Sequence, residues 1–414
     1  MMTEQLADGA ESVVVYGQRI RQARVLRQLS GTTVLRHMGW RGAKLTRLEK
    51  GPSTCLTVGE VCQLAQVLSF PVEFLTTPPA HRRLPELTFR PTKRAPTAGT
   101  EFAAQFCSAV GEFASIVDGH VRLPQVALPT IGGQISVPML AAAVRRCMGI
   151  SVNSPIGDVT GAAERSGAVV VMHGHVDGSS GIGLGAALDK VLPQNHLGWS
   201  AWVGDRNQRP VIVMRDGASW ERIRWAMAHE LGHLVLGGSP VGSSDTEDLT
   251  DLFAAELLAP AAALALELSA EPTISDLVAV KRKWGIAIGA LIAHLWRSGL
   301  ITDARYDTLK RQLYTKINRA TGHTWGKTEP GWDDRCPEQP ELLARLLHHS
   351  ADAGVDLAQQ GDGLSWPDDV LASFVAGQRA PAAVRVRYSV RGADQRVPRT
   401  ASEASGWSWE TVSA

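Results

Sequence analysis

Residues 228–236 read AHELGHLVL, and this stretch decides the fold of the central part of the chain. His229 and His233 are four positions apart, so on a helix they lie on one face and can offer two imidazole nitrogens to one metal ion. Glu230 borders the same face. Apolar residues flank the motif on most sides, which indicates a position in a core. The pattern therefore predicts a buried metal site on a helix.

The residue types of this motif suit zinc-dependent hydrolysis. Zinc bound by three protein ligands keeps one coordination position for water and lowers the pKa of that water towards roughly 7. A neighbouring carboxylate can take the proton as the water attacks a carbonyl, so Glu230 is assigned as the general base. The alternative is an accidental histidine pair on a solvated helix, and the apolar flanks argue against it.

A third ligand is expected from the acidic run that lies on or just before the next predicted helix. Glu247 is the first choice, because Asp251 follows four residues later and can then accept a proton from the outer nitrogen of a ligand histidine. Asp245 and Asp248 are the alternatives to Glu247. Glu256 is assigned a structural role within the same helix.

Two separated motifs resemble the ImmA/IrrE family of zinc metallopeptidases. One is residues 222–236, around HELGH, and the other is residues 251–260, which read DLFAAELLAP. The resemblance implies Glu247 as the third ligand and places Asp251 where the family has asparagine. The sequence departs from the family at two further positions, Leu249 and Gly237. Characterised members of that family act as site-specific endopeptidases on a partner repressor, or as regulators of stress genes and mobile elements. The resemblance therefore implies proteolysis inside the cell, with a repressor or the chain itself as the substrate.

A basic segment near the N-terminus indicates a nucleic-acid partner. Residues 16–76 predict four or five short helices, because apolar residues recur at helical spacing and glycine or proline interrupts them. Between residues 18 and 50 there are nine Lys and Arg residues against the single acid Glu49. Such an excess can neutralise DNA phosphates, although a merely solvated helical face is the alternative.

The same segment resembles a lambda-repressor-like helix-turn-helix of the XRE family. The resemblance rests on GQRIR at 17–21, LxxLEKG at 45–51 and LAxxLxxPxxFL at 64–75. It implies a supporting helix at 32–38 and a recognition helix at 42–50. Four residues are expected to face the DNA groove: Arg41, Ala43, Lys44 and Arg47. Gly31 stands where many relatives carry a glutamine that contacts phosphate.

The expected fold class is α+β and mainly helical. An N-terminal, lambda-repressor-like, all-α helix-turn-helix domain is expected at 16–76, and a linker with one helix at 77–130. A zincin-like metallopeptidase domain with a helical C-terminal part follows at 131–330. The C-terminal extension at 331–414 matches no pattern and is expected to be partly disordered, above all from residue 400 onwards.

Composition limits the remaining possibilities. The net charge of the 414 residues is only +1, and the five cysteines are scattered, which excludes a disulfide framework and cysteine-ligated zinc. With no secretory signal and no long apolar run, we expect a cytoplasmic protein without a membrane partner. The expected partners are Zn²⁺, double-stranded DNA, a repressor substrate and, in a homodimer, a second copy. Two alternatives stay open: a non-catalytic zinc sensor or scaffold, and a helix-turn-helix that docks a protein.

Overall fold

The computed structural model describes residues 11–80, 84–87, 97–129, 136–173, 197–237, 244–352, 366–379, 384–387 and 408–411. The N-terminal part contains β1 (Ser12–Val15), α1 (Gly17–Leu26), α2 (Gly31–Met38), α3 (Lys44–Lys50), β2 (Thr54–Thr57), α4 (Val58–Leu68) and α5 (Val72–Thr76). The middle of the chain contains α6 (Thr97–His120), α7 (Val137–Cys147), α8 (Val159–Arg165), β3 (Val169–His173), β4 (Gly198–Val203), β5 (Arg209–Arg215), α9 (Trp220–Leu236) and α10 (Ser244–Leu258). The remainder contains α11 (Ala261–Glu267), α12 (Ile274–Trp284), α13 (Ile288–Arg297), α14 (Asp303–Thr315), α15 (Leu342–Asp352), α16 (Asp368–Val375), β6 (Val384–Arg387) and β7 (Ser408–Thr411).

The N-terminal unit is not purely helical, so the all-α expectation for this part was wrong. Strand β1 pairs antiparallel with β2, from Ser12 opposite Thr57 to Val15 opposite Thr54. The two strands are about forty residues apart in the chain, and a pairing of that range leaves no local helical period to read. The five predicted helices are present, and α2 ends at Gly39, whose φ of +65° suits glycine.

A three-stranded sheet forms the centre of the molecule, in the order β3–β5–β4. Strand β5 runs parallel to β3 and antiparallel to β4, with Val169 opposite Val211 and Gly198 opposite Met214. Short apolar runs at 168–172 and 210–214 predict strands in the sequence, and these runs correspond to β3 and β5. Strand β4 was not predicted, and it forms one edge of the sheet.

Both faces of the sheet are covered, and alternate residues belong to different cores. Val171, Trp199 and Val213 face the core that contains α6 and the N-terminal helices. Met172 and Ile212 face the second core, which contains α9 and α10. Apolar residues on both faces give a strand a continuous hydrophobic run, as strands buried on both sides require.

The N-terminal unit is attached to α6 by a buried ion pair. Arg19 is 1% exposed, and its two terminal nitrogens donate to the two carboxylate oxygens of Glu112 at 2.6 and 2.5 Å. The same guanidinium donates to the carbonyl oxygens of Thr77 and Pro78, and Glu112 accepts from the backbone N–H of Ala80. The pair therefore fixes α1, the start of the linker and α6 to one another.

The C-terminal extension is part of the packed structure. Helix α16 contributes Phe374, which packs on Phe106 and Phe113 of α6, and Gln378 donates to the carbonyl oxygen of Val170 in β3. Residues 408–411, expected to be disordered, form β7, which pairs antiparallel with β6 in the register that places Trp409 opposite Val386. Twenty residues separate these two strands, so the pairing is also invisible to a local reading of the sequence.

No single helix within the described ranges has the length and apolar composition needed to cross a membrane. The segments Thr246–Leu258 and Ala261–Glu267 satisfy the criterion only when taken together, and they are bent by 50° relative to each other.

Candidate functional site

Helix α9 carries the histidine pair beneath the sheet. His233 and Glu230 are each 5% exposed, and the indole N–H of Trp202 in β4 donates to the carbonyl oxygen of Leu234 at 3.0 Å. The two imidazole rings lie with their centroids 4.7 Å apart and at 81° to each other. One turn of helix therefore brings both rings to one point, as the i, i+4 spacing predicts.

Helix α10 supplies the acidic group that meets this pair. Glu247 Oε2 lies 3.3 Å from His229 Nε2 and 3.7 Å from His233 Nε2. One possible ligand atom from each of the three residues lies within 4.8 Å of the other two. Donors around a tetrahedral zinc ion at about 2.0–2.2 Å are separated by roughly 3.4 Å. Both the donor types and their spacing fit zinc.

Gly232 explains why α10 can come so close to α9. A Cβ atom on Gly232 would lie 2.9 Å from side-chain atoms of both Thr250 and Phe253. Carbon atoms in proteins do not approach so closely, so any larger residue would push α10 away. Glu247 lies one turn before Thr250. The glycine within HELGH therefore sets the distance between the third acidic group and the histidines.

Asp251 lies behind His229 rather than in the cluster itself. Its Oδ1 is 3.0 Å from His229 Nδ1, on the opposite side of the ring from Glu247. This contact fixes the ring orientation and leaves Nε2 directed at the cluster. Burial disfavours charge on His229, but the hydrogen bonds with Asp251 and Glu247 outweigh it and raise the pKa of His229 to about 10. Burial and the charge on His229 lower the pKa of His233.

The carboxylate of Glu230 is held by the sheet. Its Oε2 accepts a hydrogen bond of 2.7 Å from the hydroxyl of Ser200 in β4. Burial raises the pKa of Glu230 to about 7, although the charge on His229 and the Ser200 hydroxyl oppose that rise. Gly198 lies beside it, where a Cβ atom would be 3.1 Å from Glu230 Cγ.

A cleft of about 350 Å³ opens at this cluster. Glu221, Trp225 and Ala226 line it on the N-terminal side of His229, and Gly198 lines it from β4. Ala287 and Ala290, at the start of α13, line it with small side chains. His229 and Glu230 are among the lining residues, so the cleft reaches both of them.

The other acidic candidates lie elsewhere. Asp248 is exposed and pairs with Arg297 at 3.2 Å. The buried carboxylate of Glu256 accepts from the backbone N–H of Ala261 and lies 3.7 Å from His294. The side chain of Asp245 lies outside the described residues.

Ser200 and Gly198 were missed in the sequence because β4 was missed. The segment GWSAWV has large and small residues on both faces, so it lacks the alternation of polar and apolar residues that marks a half-buried strand. The available signal was the run of six residues without a charge, bounded by Gly204 and Asp205.

Residues 195–295 match the family model of the IrrE N-terminal-like domain, Peptidase_M78. The matched segment contains β4, β5, α9 and α10, and with them all three donors of the cluster. The match supports a metallopeptidase-type domain in this part of the chain, in agreement with the ImmA/IrrE resemblance, and such domains typically hold zinc. It does not extend to the N-terminal helices. No curated protein matches the chain significantly.

Fewer basic side chains of the N-terminal helices are available to a partner than the charge count of the sequence suggests. Five of the nine basic side chains form ion pairs within the chain: Arg19–Glu112, Arg21–Glu101, Arg24–Glu49, Arg27–Asp369 and Lys44–Glu60. Lys44, expected to face DNA, also lies 4.4 Å from the ring centroid of Trp40. The other four are exposed and have no ion-pair partner in the described part of the chain: Arg36, Arg41, Arg47 and Lys50.

The predicted recognition helix begins later than expected. Helix α3 starts at Lys44, so Arg41 and Ala43 precede it and sit at its N-terminal end. Gly42, with a φ of +62°, makes the turn between them. Leu45 is buried, and Ala43 and Arg47 are exposed.

Proposed function

We propose that the chain is a DNA-binding transcription regulator that carries a zinc-dependent endopeptidase and cleaves a repressor protein, or itself. The observation that carries the proposal is the position of Glu230, a buried carboxylate next to three metal-type donors and at the wall of a cleft of about 350 Å³. Catalytic zinc sites have three protein ligands and one coordination position open to water or substrate. His229, His233 and Glu247 have the chemistry and spacing for such a site.

Zinc held by these three residues supplies Lewis acidity, which polarises a peptide carbonyl and makes water a stronger acid. The chain's own residues provide the remainder. Asp251 orients His229 by accepting from its Nδ1–H. Ser200 holds Glu230 through Oε2, which leaves Oε1 to receive the proton of the attacking water and to pass it to the leaving amine.

The DNA-binding part of the proposal rests on exposed charge. Arg36, Arg41, Arg47 and Lys50 lie on or beside α2 and α3 with no internal partner among the described residues, and each can contact a phosphate. Ala43 is exposed at the start of α3, where a methyl group can contact a thymine methyl in the major groove. Lys44 is assigned a weaker DNA contact, because Glu60 already binds it.

The two parts are joined by continuous packing. The Arg19–Glu112 pair attaches α1 to α6, and α6 packs on the face of the sheet opposite the cluster. Ser200, which holds Glu230, belongs to that sheet. This contact route supports a regulator in which occupancy of one part alters the other.

The test of this function compares wild type with Glu230→Gln in cells that express each variant. Labelling of protein N-termini reports new cleavage products. We expect products with wild type and a rate about 10²–10⁴-fold lower with Glu230→Gln, because the general base is lost. Zinc content and duplex binding stay unchanged. Asp248→Asn is the matched control, since its carboxylate pairs with Arg297 outside the cluster.

Other outcomes separate the alternatives. Identical N-termini from wild type and Glu230→Gln, with zinc retained in both, would favour a non-catalytic sensor. Duplex binding that does not weaken with rising salt would contradict phosphate contacts and favour a docking role for the N-terminal helices.

A further inference from the structure

One of the residues that line the cleft is a buried glutamate with a hydrogen-bond partner, within the described ranges, for only one of its two carboxylate oxygens. Glu221 lies on α9 two turns before His229 and is 4% exposed. Its Oε1 accepts a hydrogen bond of 3.2 Å from Lys281 Nζ. Its Oε2 is buried and has no hydrogen-bond partner in the described part of the chain. Unpaired buried acceptors are rare, because each loses its hydration without compensation.

Lys281 has a second carboxylate partner besides Glu221. The ammonium group also lies 3.0 Å from Glu329 Oε2, and Glu329 accepts further bonds from the backbone N–H groups of Ile288 and Gly289 at 2.8 and 3.0 Å. Two carboxylates thus share one ammonium. A buried carboxylate is stabilised when a cation or further donors accompany it.

Other cationic side chains that the structure describes nearby do not supply the missing partner of Glu221 Oε2. Arg222 lines the cleft but is exposed, and it forms no ion pair with Glu221 among the described residues. Arg335 stacks over the ring of Trp220, with its central carbon 5.0 Å from the centroid, and donates to the carbonyl oxygen of Arg282. Arg224 is bound to Glu338. Glu221 is thus a lining residue of the cleft whose Oε2 is buried and has no partner in the described part of the chain.

The cleft connects this carboxylate with the proposed metal centre. Glu221 and Trp225 lie one turn apart on α9, and His229 follows after one more turn, so the stripe spans about 12 Å. Trp225 offers an aromatic surface for an aliphatic stem, and Ala287 and Ala290 leave space opposite it. The shape suits a long side chain that ends in a cation.

We propose that Glu221 is a specificity-determining residue that selects peptides with a lysine or arginine side chain next to the scissile bond. The ammonium or guanidinium of the substrate donates to the Glu221 carboxylate, whose Oε2 turns towards the cleft when the substrate binds. This inference rests on the proposed endopeptidase function, because it assumes that a peptide occupies the cleft.

The experiment measures binding rather than turnover. Full-length, zinc-loaded Glu230→Gln is titrated against three fluorescent hexapeptide pools that carry lysine, norleucine or glutamate at one fixed position. We expect the lysine pool to bind about tenfold tighter than the norleucine pool, as a hydrogen bond to a charged group implies. In Glu221→Gln, made in the same background, the preference falls to within about twofold. Glu267→Gln is the control, because Glu267 binds Lys283 outside the cleft.

The outcomes distinguish the two proposals. Equal binding of the three pools overturns selection by Glu221 and leaves the peptidase function standing. A preference for the glutamate pool also overturns it, since Arg222 then sets the specificity. Binding of no pool overturns both. If Glu221→Gln fails to fold, competition on the Glu230→Gln protein decides: n-butylammonium should displace the lysine pool and n-butanol should not, and equal displacement by both overturns the proposal.

Discussion

The metal cluster and the basic N-terminal helices were both chosen from residue type and spacing, but they differ in what surrounds them. His229, His233 and Glu247 come together on two consecutive helices, and the residues that support them lie mostly within the same hundred positions. The partners of the basic residues lie far away. Glu112 is 93 positions from Arg19, and Asp369 is 342 positions from Arg27.

The difference shows which sequence patterns predict the geometry of the folded chain. Ligand spacing on a helix fixes geometry locally, because residues four apart share a face in any environment. A charge excess in a segment fixes nothing until its distant partners are known. The nine cations between residues 18 and 50 were counted against one acid, yet four acids from outside that window take up four of them. Among the described residues, the basic charge without an internal ion-pair partner is therefore carried by four residues rather than nine.

We expect the largest effect on stability at the buried ion pair between Arg19 and Glu112. Glu112→Gln leaves the guanidinium of Arg19 buried without a counter-charge and should lower the free energy of unfolding by about 3–5 kcal/mol. Glu101→Gln breaks the exposed Arg21 pair and should cost at most about 1 kcal/mol. Urea titration followed by circular dichroism measures both. Equal costs would show that burial does not separate the two pairs.

An intermediate effect tests the local geometry of the cluster. Gly232→Ala adds a Cβ atom 2.9 Å from Thr250 and Phe253, and moving α10 to relieve this overlap should cost about 1–3 kcal/mol. Zinc affinity should fall with it, because Glu247 moves with α10. Competition with a chromogenic chelator measures the affinity. Gly237→Ala, whose Cβ would meet nothing closer than 3.5 Å, is the control, and an equal loss in both variants would refute the packing argument.

The smallest effect distinguishes unpaired from ion-paired side chains on α3, the helix that we propose contacts DNA. Arg47→Gln should reduce the slope of log binding constant against log salt by about 1, because one phosphate contact is lost. Lys44→Gln should change it less, since Lys44 already binds Glu60 at 2.7 Å. Fluorescence anisotropy with a duplex at several salt concentrations gives both slopes. A larger change for Lys44→Gln would mean that the Glu60 pair opens on DNA.

The sequence predicted the helices of the site well and its sheet only in part. The spacing of apolar residues predicts helices at 219–236, 274–284 and 288–298. The ends of α9, α12 and α13 lie within one residue of these positions, because amphipathic period and capping residues are local signals. Strands β3 and β5 stood out as short runs rich in valine. Strand β4 did not, because Gly198, Ser200 and Ala201 have low strand preference and only the partner strand holds them extended. The hydrogen bond from Ser200 to Glu230 could therefore not be predicted either.

His229, His233 and Glu247 should together hold one zinc ion. Metal analysis of the purified full-length chain by mass spectrometry tests this, with His229→Ala and Asp248→Asn prepared in parallel. We expect one zinc per chain in wild type and in Asp248→Asn, and almost none in His229→Ala. A zinc content far below one in wild type, or one that His229→Ala leaves unchanged, would contradict it.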